Sequence, residues 1–298
     1  MTSDTNYKHI LVAIDFSTFA KAALRQAVWF ASNSGAKLTL IYAAPDFKRF
    51  SEIASEIRQE SELKMRELLM DLNAGDLEVN LITKIGEPFV EIIHAVQGQG
   101  YDLVLAGTRG LANWEQFLVG GTAKRLIRKC PASVWIVKAE HDGPPKVVLA
   151  ATDFSEVSRK AVLEGICVAE RTGAEFNLLH VIDSGDVPPD VISRIPHGSS
   201  LEQEIQEEAQ RRLDEFVNSL ETTRIRVQPH LILGTPWKEI QRLVQKLSVD
   251  LIAMGTVGRN GIEGLLLGNT AEKVLDQCNC SVLTVKPNGF VSPIAPPA

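Results

Sequence analysis

The chain has 298 residues, 45% of them hydrophobic and 23% charged, with a formal net charge of −6. That length exceeds an ordinary single domain and allows two full cores, while the acidic balance argues against the basic face that nucleic-acid binding requires. The opening MTSDTNYKHI has no apolar signal segment and no apolar run approaches the ~18 residues of a membrane span, so a soluble, cytoplasmic protein is expected.

From the N-terminus, an apolar strand over 8–15 precedes a helix over 19–34 that ends at Gly35. A strand over 37–43 leads to a long amphipathic helix over 50–72, with Ile53, Ile57, Leu68, Leu69 and Leu72 on its inner face. A strand over 77–85 follows. Gly86-Glu87-Pro88 then opens a helix to Gln97, with Pro88 suited to its first turn. A strand over 102–107, a glycine loop, a helix over 121–129 and a strand over 133–138 close the unit. The unit is then repeated. KHILVAIDFS (8–17) matches KVVLAATDFS (146–155) at six of ten positions, and DLVLAGTRG (102–110) matches DLIAMGTVG (250–258). The second copy has strands near 146–152, 176–182, 224–233, 250–255 and 281–286, and an amphipathic helix through Leu201, Ile205, Ala209, Leu213 and Phe216. About ten extra residues in this copy fall in the Pro/Gly/Ser-rich stretch 183–200. Turn-rich 139–145 is the seam, giving domains over 1–140 and 146–288 and a tail over 289–298. Continuous apolar strands alternating with helices predict, in each copy, a five-stranded parallel sheet with helices on both faces.

In such a sheet ligands bind at the carboxyl ends of the strands, where strand order reverses. There the first strand ends at Asp15 or Asp153, and the fourth at a glycine loop spaced Gly-x2-Gly-x9-Gly: Gly107, Gly110 and Gly120, or Gly255, Gly258 and Gly268. Glycines let a backbone approach a ligand closely, and the following helix start is an anion site. The spacing is neither the Walker nor the dinucleotide pattern. The glycines also have a purely structural reading as a tight strand-to-helix loop, and the two aspartates as helix caps with the serine that follows. His180 is expected to pack on its strand, and Trp114 to fill space in the first loop. The four cysteines show no ligand spacing, so buried thiols are expected and no metal site. No nucleophile–base pair, Mg2+-binding acid cluster or Walker lysine points to an enzyme.

The order of Asp-Phe-Ser, Leu-His-Val (179–181, in the second copy), Gly-x-Pro and Gly-Thr-x-Gly, in a unit repeated over 8–138 and 146–286, resembles the universal stress protein family in a tandem form. The resemblance implies two Rossmann-like (adenine-nucleotide alpha hydrolase-like) domains pairing through their last strands as an internal pseudo-dimer, with further homodimerisation and protein partners left open. It implies a stress-response regulator that binds ATP, with Mg2+ left open. In the second domain it places Asp153 and the Val181 backbone near base and ribose, and Gly255, Gly258, Gly268, Asn269 and Thr270 around the phosphates. The family's ATP binders carry a hydroxyl residue where this chain has Asn269, whose amide still donates to phosphate. The first-domain counterparts are Asp15, Ala43, Gly107, Gly110, Gly120, Gly121 and Thr122, with Arg109 as a substitute charge. Gly121 removes the side-chain donor, so the second site is expected to be the tighter. The alternative is a module of this type that has lost ATP and acts through partners or another small or apolar ligand.

Overall fold

The computed structural model describes residues 7–44, 54–75, 77–108, 119–138, 143–183, 200–220, 222, 224–258 and 267–296. Contacts divide the chain into two compact units, Asn6–Pro144 with Asn279–Ala298, and a second built on Pro145–Cys278. The first holds β1 (His9–Ile14), α1 (Thr18–Ser34), β2 (Lys37–Ala44), α2 (Ala54–Asp71), β3 (Val79–Ile85), α3 (Pro88–Gln99), β4 (Leu103–Gly107), α4 (Gly121–Lys129) and β5 (Ser133–Val137). The second holds β6 (Val147–Thr152), α5 (Glu156–Thr172), β7 (Glu175–Asp183), α6 (Ser200–Asn218), β8 (Val227–Gly234), α7 (Pro236–Leu247), β9 (Leu251–Gly255) and α8 (Asn269–Gln277).

Strand order in the first unit is β3-β2-β1-β4-β5, all parallel. In the second it is β9-β6-β7-β8, again parallel. Helices cover both faces, which is why β1 reads as an uninterrupted apolar run with Ile10, Leu11 and Val12 fully buried. The last strand, β10 (Ser281–Val285), belongs to the second sequence repeat but to the first compact unit. It runs antiparallel to β5, with Val282 opposite Ile136, Leu283 opposite Trp135 and Thr284 opposite Val134. The expected pairing of the two last strands is therefore present.

Local chemistry explains where the helices begin and end. Ser17 caps α1 by accepting the Ala20 N–H at 3.2 Å, and Gly35, with φ 71°, closes it in the left-handed conformation. Ser155 and Gly173 do the same for α5. Pro88 and Pro236 open α3 and α7, where a missing N–H costs nothing. The aspartate that begins each DLVLAGT-like stretch ties the sheet together at the end away from the loops. Asp102 Oδ2 accepts the N–H groups of Lys8 and His9 at 2.7 and 2.9 Å, and Asp250 Oδ2 those of Lys146 and Val147 at the same distances.

One packing expectation needs correcting. Along α2 the buried residues are Ser61 and Met65, and Ser61 Oγ lies 2.7 Å from Thr83 Oγ1 on β3. Ile57, Leu68, Leu69 and Leu72 are only partly covered. Ile53, most of the stretch 183–200 and much of the seam lie outside the described residues.

Candidate functional site

The site in the second repeat starts where β6 ends. Asp153 Oδ1 accepts both the N–H and the hydroxyl of Ser155, at 3.0 and 2.6 Å. Ser155 in turn accepts the Ser158 N–H at 3.2 Å and is the N-cap of α5. The helix cap is thus the serine, and the aspartate orients it; the reading in which aspartate and serine cap the helix together is corrected on the aspartate's part. The same arrangement holds for Asp15 and Ser17. Between carboxylate and cap sits Phe154 at φ 64°, a left-handed backbone uncommon for a bulky residue, matched by Phe16 at φ 63°. The Phe154 ring lies 4.2 Å from His180 and 5.5 Å from Phe216, between centroids. His180 is buried and its Nδ1 is 2.9 Å from the Thr152 carbonyl, which assigns the proton to Nδ1.

Across from Asp153, β9 runs out at Gly255. A Cβ there would come within 2.8 Å of Val157 Cγ1, so this glycine is needed for packing. A Cβ on Gly258 would meet Asp153 Oδ2 at 2.8 Å, which puts the loop backbone directly against the carboxylate. The two ends of the loop are clamped by the Gly268 N–H donating to the Thr256 carbonyl at 2.7 Å. Gly268 is the N-cap of α8 with no side-chain cap, so the first-turn N–H groups have no side-chain acceptor at that position.

These elements enclose a cavity of about 450 Å³ at the carboxyl ends of β6, β7 and β9, where the chain reverses strand order. Asp153, Val181, Gly255, Gly258, Gly268, Asn269 and Thr270, all singled out in the sequence, line it together. Thr152, Ser158, Leu179, His180, Asp183, Pro236, Ile240 and Met254 also line it. Of these, Thr152 and Ser158 had a signal: at the aligned positions the first repeat carries Ile14 and Ala20. The described lining includes two carboxylates, Asp153 and Asp183, and the start of α8. A ligand carrying both hydrogen-bond donors and negative charge matches that lining.

In the first repeat, Asp15 follows β1, Ala43 lies in β2, Gly107 ends β4, and Gly120, Gly121 and Thr122 start α4. The Gly120 N–H donates to the Thr108 carbonyl at 2.7 Å, the same clamp as in the second loop. A Cβ on Gly107 would lie 2.6 Å from the Phe19 carbonyl carbon and 2.8 Å from the Ala20 nitrogen, so backbone packing alone requires this glycine. Arg109, Gly110 and Trp114 lie outside the described residues.

Among the described residues no group of three or more His, Cys, Asp or Glu is placed to hold a metal ion. None of their helices is long and apolar enough to cross a membrane. The cysteines are free thiols; burial pushes that of Cys130 up to about 12 and also raises that of Cys167.

A model of the universal stress protein family matches residues 6–138 and 145–286. Universal stress protein E of Escherichia coli (strain K12) is 28% identical over 316 residues, covering 97% of this chain and 96% of that protein. Universal stress protein MJ0531 of Methanocaldococcus jannaschii is 34% identical over 144 residues, covering 47% of this chain and 82% of that protein. The crystal structure of a universal stress protein from Archaeoglobus fulgidus superposes with a TM-score of 0.71 at 22% identity, covering 93% of this chain and 98% of that one.

Proposed function

Because the chain belongs to the universal stress protein family, we propose that it is a cytoplasmic stress-response regulator whose second repeat binds an adenine nucleotide, in the first place ATP. Base and ribose are assigned to Asp153 and the Val181 backbone. The phosphates are assigned to Gly255, Gly258, Gly268, Asn269 and Thr270. The observation that carries this reading is the roughly 450 Å³ cavity, lined both by the Asp153 carboxylate and by the start of a helix that lacks a side-chain cap. Polyphosphate is the anion such a helix start favours, and Asn269 adds an amide donor. The first repeat is the weaker site: Gly121 offers no side chain where Asn269 stands. Nucleotide occupancy then alters the surface offered to protein partners, and the role is binding rather than turnover.

Gly268→Ala is the most direct test. Its φ is −77°, and a Cβ there makes only ordinary contacts, 3.5 Å to the Thr256 carbonyl oxygen, so the fold accepts the methyl while a phosphate packed on that backbone does not. Titration calorimetry with ATP should show Gly268→Ala and Asp153→Ala losing about ten- to a hundredfold in affinity, the range of one charge-assisted hydrogen bond. Asp15→Ala should change affinity less than twofold. Equal losses for Asp15→Ala and Asp153→Ala would overturn the ranking of the sites. A wild-type protein that ignores ATP but releases another compound on denaturation, identified by mass spectrometry, would support the alternative of a module that has lost ATP.

A further inference from the structure

Two buried hydroxyls line the cavity beneath Asp153. Thr152 and Ser158 are 6% and 5% exposed, and their oxygens are 3.1 Å apart. Thr152 Oγ1 accepts the Phe154 N–H at 3.0 Å, and the Ser158 hydroxyl donates to the Ser155 carbonyl at 2.9 Å. With the Ser158 proton committed to that carbonyl, Thr152 is the donor between the two. One continuous chain of hydrogen bonds therefore runs from the Phe154 amide through both hydroxyls to the Ser155 carbonyl, bracketing the turn that presents the Asp153 carboxylate.

The first repeat makes the same turn without this chain. Phe16 has the same left-handed φ, Asp15 holds Ser17, and Ser17 caps α1, yet Ile14 and Ala20 stand where Thr152 and Ser158 stand. Neither the turn nor the helix start thus needs the hydroxyls, and burying polar groups is unfavourable unless they are satisfied. Their place on the cavity wall gives them a use the first repeat lacks.

We infer that Thr152 and Ser158 are positioning residues that preset the Asp153 carboxylate for ligand, and that they are a built-in difference between the two repeats beside Asn269 and Gly121. This rests on the nucleotide reading of the cavity for its binding consequence, though not for its structural one. The bracketed turn has fewer conformations to lose when a ligand hydrogen-bonds to Asp153, and less of the binding free energy is spent on ordering it.

The test uses the full chain carrying Thr152→Val with Ser158→Ala, and Thr152→Val alone should the pair fail to fold. In the wild-type background ATP affinity by calorimetry should fall about three- to tenfold, the range of one neutral hydrogen bond. In an Asp153→Ala background the same substitutions should change affinity less than twofold, because there is no carboxylate left to position. Thr152→Ser, which keeps the hydroxyl, should restore wild-type affinity. Amide hydrogen exchange at Phe154 should be about tenfold faster in Thr152→Val without any ligand present. Equal losses in both Asp153 backgrounds would overturn the inference, and so would unchanged Phe154 exchange. Wild-type protein that binds no ATP sinks the nucleotide reading alone. The exchange measurement then decides the positioning claim, faster exchange supporting it.

Discussion

Lys286 is an ammonium placed where water hardly reaches. It follows β10 and is 2% exposed; its Nζ donates to the Arg128 carbonyl near the end of α4 at 2.9 Å and sits 4.4 Å from the Phe290 ring centroid. Burial pulls its pKa down from 10.5 to about 8, and burial pushes the neighbouring Cys130 thiol from 9.0 up to about 12. Between pH 8 and 10.5 the unfolded chain keeps a proton on this lysine that the folded one releases, so this group makes stability rise with pH. Cys130 acts oppositely, because above pH 9 the folded thiol holds a proton that the unfolded one has lost. Between pH 8 and 9 the lysine contributes more than the thiols, whose unfolded forms are only beginning to ionise. The urea midpoint should therefore rise over that interval, by at most about 1 kcal/mol of stability, and flatten above it. Lys286→Met should abolish the rise, and a variant with the wild-type slope would show that the ammonium is not the titrating group. A lysine after an apolar strand looks like an ordinary solvent-facing charge in a sequence. Its burial comes from packing against the end of α4, more than 150 positions away, which no local pattern records.

The glycines of the two loops divide by what surrounds them. Gly107 is fixed by the backbone of α1, Gly255 by Val157, and Gly258 by the Asp153 carboxylate; Gly121, at the start of α4, has nothing within 4 Å of the Cβ position. Gly107→Ala should cost about 1–3 kcal/mol through forced backbone movement. Gly121→Ala should be neutral or stabilising by up to about 1 kcal/mol, since alanine is the better helix former. Thermal unfolding of the two variants checks both, and equal midpoints would show that α1 gives way. Spacing alone located Gly107, Gly255 and Gly258 and predicted that the loop glycines of each repeat face one crevice, while Gly121 entered only through the family resemblance. It left packing glycines and approach glycines undivided, because that depends on what α1 and α5 put opposite them. The Asp-Phe-Ser motif was legible as a helix start with its cap shared between aspartate and serine, since the two are equally good acceptors in sequence and only geometry gives the helix N–H to the serine. On α2, the apolar residues Ile57, Leu68 and Leu69 suggested a buried face, while the sheet is met by Ser61 and Met65. The hydroxyl of Ser61 is satisfied by Thr83, a partner on another element.

At the scale of the molecule, the repeats of the sequence and the compact units of the fold do not coincide. The strand β10 closes the edge of β5, where Val134, Trp135 and Ile136 are otherwise a short, wholly apolar rim with open backbone groups. A fragment ending at residue 142 should fold its parallel strands and then self-associate through that rim. Light scattering on the eluting fragment should give a mass that rises with concentration, whereas a monomer at tens of micromolar would show that β5 does not need its cover. The same pairing sets an order of events during synthesis. The ribosome releases β10 148 residues after β5, an interval of roughly 7–30 s at ordinary elongation rates. For that time the nascent first unit carries an unfinished edge, and its completion waits on the translation of β10.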